Sequence, residues 1–233
     1  MATFQNRVEA LTQFAFGGST DPSVTELTEF LKDGVLDVTR QSIQADPGSA
    51  LDFQREGTTT AGNTFDTAGA QVISVIREAG ADGDTDGSTA WEPCRRVSTA
   101  LQSRVVDPDS LSFASKYNPV YIVDDDGLVN VYPTPDGTDD GYRVFYVNNE
   151  PLDETNDASV VYTHSDLKYF PAHKVYLVVL YASIKTLEAA AGSKTGAQDI
   201  ELQGSYSQLA ASLRAEYMAA FQTQQQPTGA PRR

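Results

Sequence analysis

Asn118-Pro119-Val120-Tyr121-Ile122-Val123-Asp124-Asp125-Asp126-Gly127-Leu128-Val129-Asn130-Val131-Tyr132-Pro133 decides how this chain is read. Two runs of β-branched and aromatic residues flank an acidic turn ending in glycine, the composition of a β-hairpin. Pro133 and Pro135 end the second run, because proline brings no N–H to a ladder. After a loop from Asp136 to Gly141, Tyr142-Arg143-Val144-Phe145-Tyr146-Val147 has the residues of a further strand, and a small antiparallel meander is predicted.

Upstream, Ala50 to Arg77 is also strand-like. Leu51 and Phe53 alternate, and Val72, Ile73, Val75 and Ile76 form an apolar run. Ala79 to Ser88 is rich in Gly and Asp and reads as an exposed loop. Trp91, Val97 and Leu101 are expected to tie a short helix or turn to the core.

Helical periodicity takes over on both sides. Phe4, Val8, Leu11 and Ala15 recur at helical spacing up to Gly17-Gly18. Ser23 with Glu26 three residues on is a capping box, and the helix it starts carries the stripe Val24, Leu27, Leu31, Val35 and Val38. Gly34 lies beside that stripe, where it permits close approach of another helix, and Asp46-Pro47-Gly48 stops the run. Pro171 suits a helix start, and Ala172 to Ala191 is apolar nearly all round, as in a helix central to a bundle. Gly192 closes it. Leu202, Tyr206, Leu209, Leu213, Tyr217 and Ala220 then mark a long amphipathic helix, expected to pack antiparallel to its predecessor. Past Phe221 the chain turns to Gln, Pro and Arg with no apolar face, the composition of a segment disordered when free.

The fold class read from this is α+β: an antiparallel helical bundle with an inserted β-rich antiparallel region. Residues 1–48 carry the N-terminal helices, 49–160 the β-rich insertion, 161–221 the C-terminal helices, and 222–233 a flexible tail.

A formal charge of −15 repels phosphate over most of the surface and argues against grip on nucleic acid through a basic face. The single cysteine, Cys94, has no partner for an internal disulfide or a thiolate metal site, consistent with folding in a reducing cytoplasm. The opening residues lack the pattern of a signal peptide. Val175 to Ile184, the most apolar run, is shorter than the roughly 20 residues that span a bilayer. No membrane partner is expected.

The residues offer little chemistry. Asp82-Gly83-Asp84-Thr85-Asp86-Gly87 matches the first half of a calcium loop, but Pro93 stands where a bidentate Glu belongs and Glu92 is one place early. A solvated acidic loop is the main reading and a weak cation site the open alternative. Gly192-Ser193-Lys194-Thr195 lacks the glycine spacing of a phosphate loop. His164 and His173 fit no simple metal spacing, no Gly-x-Ser-x-Gly elbow accompanies them, and Cys94, which Arg95 and Arg96 could activate, reads instead as a buried or incidental cysteine. No enzyme, no metal and no cofactor are expected.

Three segments carry a resemblance. They are Glu26-Leu27-Thr28-Glu29-Phe30-Leu31-Lys32-Asp33-Gly34-Val35; the run from Asn118 through Pro133-Thr134-Pro135-Asp136 to Val144-Phe145-Tyr146; and Tyr169-Phe170-Pro171-Ala172 leading into Leu177-Val178-Val179-Leu180-Tyr181-Ala182. Together they cover about half the chain, and the arrangement resembles the head-to-tail adaptor (connector, neck) family of tailed bacteriophages.

That resemblance implies a structural virion protein, made in the host cytoplasm and sited in the neck between head and tail. It implies a homo-oligomeric ring, typically of twelve copies, that binds the portal protein and a tail or nozzle protein. DNA would pass through its lumen without sequence-specific binding. The tail residues Gln222, Gln224, Gln225, Gln226, Pro227, Pro231, Arg232 and Arg233 are implied to dock in a groove of the portal. Two alternatives stay open. One is another neck, tail-terminator or capsid-associated component. The other is a receptor- or carbohydrate-binding virion module with Tyr117, Tyr121, Tyr132, Tyr142 and Tyr146 as its platform.

Overall fold

The structure is a computed structural model that describes residues 2–17, 20–59, 62–79, 90–135, 141–155, 157–193 and 200–225. It is α+β, as read from the sequence, and divides into two compact units: Met1–Phe53 with Asn149–Arg233, and Gln54–Asn148. The insertion is thus narrower than the expected 49–160, because 49–53 and 149–160 belong with the helices.

The helical unit holds α1 (Phe4–Thr12), α2 (Val24–Ala45), α4 (Val175–Ser193) and α5 (Ile200–Gln225). α1 is shorter than its periodicity predicts. It stops at Thr12, and Gln13 takes a left-handed conformation at φ 55° with its N–H bonded to Glu9 O. The Thr12 hydroxyl donates to Val8 O and accepts from Phe14 N, so the side chain of a residue that competes with the backbone ends the helix before Ala15.

α2 begins at the predicted capping box. Glu26 N donates to Ser23 Oγ (3.3 Å), and Ser23 N donates to Glu26 Oε2 (2.7 Å). Leu27, Leu31, Val35 and Val38 are buried on its core face. A Cβ on Gly34 would stand 3.1 Å from Tyr181 Cδ1 and 3.3 Å from Val178 Cγ1, so the missing side chain is what lets α2 lie close to α4. The chain after α2 departs from expectation: residues 47–53 form a 3-10 turn, Leu51 is exposed, and Phe53 is buried against Phe170 at 5.4 Å between ring centroids.

α4 is the centre of this unit, with Leu177, Val178, Leu180, Ala182, Leu187 and Ala190 fully buried. It follows a 3-10 turn at Ala172–Lys174. Ala172–Ser193 is by length and composition apolar enough to cross a membrane, longer than the run singled out from the sequence, but 67% of that window is buried in the protein. α5 runs back along α4: Tyr176, at the start of α4, donates to Glu216, and Glu188, near its end, pairs with Arg214. Tyr206, Leu209, Leu213, Tyr217 and Ala220 pack inward, whereas Leu202 is exposed because it precedes the overlap.

The β unit contains two four-stranded sheets. One is ordered β1 (Gln54–Thr59), β8 (Tyr142–Val147), β3 (Val72–Glu78), β4 (Trp91–Pro93); the other β2 (Thr64–Asp66), β7 (Leu128–Tyr132), β6 (Val120–Val123), β5 (Arg95–Arg96). A short α3 (Gln102–Val105) joins the second.

β6 and β7 form the predicted hairpin. Gly127 N donates to Asp124 O (3.2 Å) across the turn, with Gly127 at φ 82°, where a side chain would be strained. The predicted meander is corrected: β8 pairs with β1 and β3 in the other sheet, and the edge of β7 is filled by β2. The Pro133-Thr134-Pro135 segment gives the chain no continuous ladder through which to turn back onto β7.

Alternation then assembles the core. Tyr142, Val144, Tyr146 and Val75 from the first sheet meet Tyr121, Val129 and Val131 from the second, while Val120, Ile122 and Tyr132 point to the opposite face and pack on Val97, Val105 and Ala114. Phe65 on β2 lies directly over Gly57 on β1, where any Cβ would enter its ring.

Candidate functional site

The C-terminal segment is anchored from α2. Tyr217 Oη donates to Asp37 Oδ2 (2.9 Å), and Gln41 Nε2 donates to the same oxygen (2.6 Å). The Tyr217 ring lies 6.5 Å from that of Tyr181 and 6.2 Å from that of Phe221. Burial first, then the Asp37 carboxylate, pushes the Tyr217 phenol well above its ordinary pKa. Phe221 is the last buried residue of α5; the helix continues to Gln225 with Gln222 exposed. Gln224 and Gln225 extend its backbone, and Gln226, Pro227, Pro231, Arg232 and Arg233 lie outside the described residues.

A second stretch with unusual exposure had no motif to announce it. From Cys94 to Val106 the chain has three arginines and no acid. Arg95, Arg96 and Arg104 are all exposed. The loop that follows shows Val106 at 55%, Leu111 at 108%, Phe113 at 39% and Tyr117 at 74% exposure, although apolar chains of this size are usually covered. It is a pinned loop: Ser110 N donates to Asp107 O, Phe113 N to Ser110 O, Ala114 N to Val105 O and Asn118 N to Ser115 O. The signal in sequence was the run without acid followed by apolar residues among turn formers.

Of the groups screened for chemistry, His164 and Ser193 make local hydrogen bonds. His164 Nδ1 accepts from Val161 N (3.2 Å) and lies 3.5 Å from Asp153 Oδ1, while its carbonyl accepts from Phe4 N (2.8 Å), tying residues 161–164 to the start of α1. His173 sits in the turn before α4. Burial pushes the Cys94 thiol up to about 12 against the opposing charge of Arg77, the reverse of an activated thiolate. Ser193 bonds Ala190 O at the end of α4, while Lys194 and Thr195 are outside the described residues, as is Asp82–Gly87. Among the described residues no group of three or more His, Cys, Asp or Glu is placed to hold a metal ion. Four of the five platform tyrosines are buried: Tyr121, Tyr132, Tyr142 and Tyr146. Only Tyr117 is open, so the residues do not form an aromatic sugar-binding face.

The fold is a set of packed helices with an inserted β unit. The family model described as SU10 adaptor protein matches residues 1–233. The chain belongs to that family, which is one of phage head-to-tail adaptors, and it is therefore a structural component of a phage virion. No curated protein matches it.

Proposed function

We propose that this adaptor forms a ring, of typically twelve copies, between the portal and the tail or nozzle of the virion, and that DNA passes through its lumen. The observation that carries the reading is the whole-length family match. The charge of −15 supports it, since an acidic lumen repels the phosphate backbone and lets DNA slide. The protein works by shape and contact, without catalysis, cofactor or membrane, after synthesis in the host cytoplasm.

Portal docking belongs to the C-terminal segment, Gln222, Gln224, Gln225, Gln226, Pro227, Pro231, Arg232 and Arg233. Tyr217 and Phe221 hold its base to the helices, and the residues beyond lack an apolar face of their own, which suits a partner that supplies the groove. Co-sedimentation with purified portal tests this. Full-length chain is expected to pellet with the portal and a chain ending at Phe221 to stay in solution; equal pelleting of the two overturns the docking role.

A further inference from the structure

A helix leaves its first N–H groups without partners inside the helix, and α1 finds two of them far away in sequence. Asn6 N is capped locally by Thr3 Oγ1 (3.2 Å), whereas Phe4 N donates to His164 O (2.8 Å) and Gln5 N to Tyr162 O (3.0 Å). Both carbonyls belong to the turn from Val161 to His164, which closes twice. His164 N donates to Val161 O (3.0 Å), and Val161 N donates to His164 Nδ1 (3.2 Å). A backbone N–H needs a lone pair to point at, so Nδ1 carries no proton in this arrangement and the neutral ring holds its proton on Nε2.

The same Nδ1 lies 3.5 Å from Asp153 Oδ1. Asp153 is buried, and its other oxygen accepts from Thr155 N (3.1 Å). With the ring neutral, Nδ1 and Oδ1 are two acceptors with no proton between them. A proton on Nδ1 reverses both relations: it repels Val161 N–H and gives the carboxylate a charged donor. The charged groups on the elements that bond this turn have other partners. On α1, Arg7 lies over the Phe4 ring (5.6 Å) and Glu9 accepts from Gln5 Nε2 and Phe16 N. On α2, Glu26 caps Ser23 and Glu29 pairs with Lys32, while the residue that reaches the turn is the uncharged Thr28, accepting from Tyr162 N (3.4 Å). Beside the turn, Asp166 accepts from Leu167 N and Lys168 pairs with Asp157.

We propose that His164 is a proton-operated clasp on the first turn of α1. The neutral imidazole closes the turn and presents its carbonyls to Phe4 and Gln5; the imidazolium turns to Asp153 and lets them go. Histidine is the side chain that ordinarily changes charge between about pH 5 and 8, and this ring is partly exposed, so solvent protons reach it. Phe4 and Val8 remain in the helical core, which confines the change to the start of α1.

The test uses the full-length chain with nitrogen-labelled histidine, together with hydrogen exchange. At about pH 8 the ring nitrogens are expected to report the Nε2–H tautomer. From there to about pH 5, protection corrected for intrinsic exchange is expected to fall about fivefold at Phe4, Gln5 and Val161, the worth of one net hydrogen bond, and to hold in α4. His164→Asn offers an amide oxygen to Val161 N and does not titrate, so it is expected to keep the protection at both values. An Nδ1–H tautomer at the higher pH overturns the clasp. So does protection at these amides that acid leaves unchanged, a loss that spreads equally through α4, or a loss that persists in His164→Asn. The tautomer and the wild-type exchange decide the matter even where the variant does not fold.

Discussion

Tyr217 on α5 donates its phenolic proton to Asp37 on α2 across 2.9 Å, so the last helix is bonded to the first long one near the point where the C-terminal segment departs. Replacing Tyr217 with Phe removes one hydrogen bond and keeps the ring packing. It is expected to cost about 1 kcal/mol at neutral pH by denaturant unfolding. The pH dependence has a definite sign. Burial and Asp37 raise the phenol's pKa, so the folded chain retains a proton that the unfolded chain loses. Stability from this group is complete below about pH 10 and declines as pH rises above it. Tyr217→Phe should flatten that alkaline decline; an unchanged slope would show that the phenol titrates alike in both states.

Gly34 faces Tyr181 and Val178 with no space for a branched side chain. Gly34→Leu is expected to lower stability by about 1–3 kcal/mol despite leucine's better helix propensity, because overpacking outweighs it. Thermal melting checks this, and a stabilised variant would mean that α2 and α4 separate at little cost.

In the β unit the corresponding close contact is Gly57 under the ring of Phe65. Gly57→Val should force the two sheets apart and cost about 1–3 kcal/mol. Hydrogen exchange is expected to rise in β1, β2 and β8 and to stay as it was in α4. Protection lost equally in α4 would contradict independent cores.

The partly buried Cys94 thiol, raised to about 12, should remain a thiol at pH 8. Labelling by an aromatic disulfide is expected to be far slower in the native chain than in denaturant, where free cysteine titrates near ~8.5. Equal rates would place Cys94 in an ordinary aqueous setting.

The elements legible in sequence were those whose signals are local. Ser23 and Glu26 fix the start of α2 within one turn, Gly34 announces the close helix, and Asp124 to Gly127 define the hairpin by their own chemistry. Strand partners were not legible. β8 lies between β1 and β3, whose pairing depends on distant residues, so proximity to β7 was a poor guide. Local alternation also misled at Leu51 and Phe53, which turn in a 3-10 helix after Pro47-Gly48, and at Leu202, where the α5 stripe extends beyond the length of α4 that it covers. Arg95 and Arg96 escaped notice as a strand because two residues are too few for an alternation signal, and only their pairing with β6 makes them β5.

Single-particle imaging of purified portal mixed with full-length chain tests the proposed ring. A ring of adaptor coaxial with the portal, typically twelve copies around an open channel, is expected. Chains bound singly, or a portal left bare at saturating concentration, would contradict it.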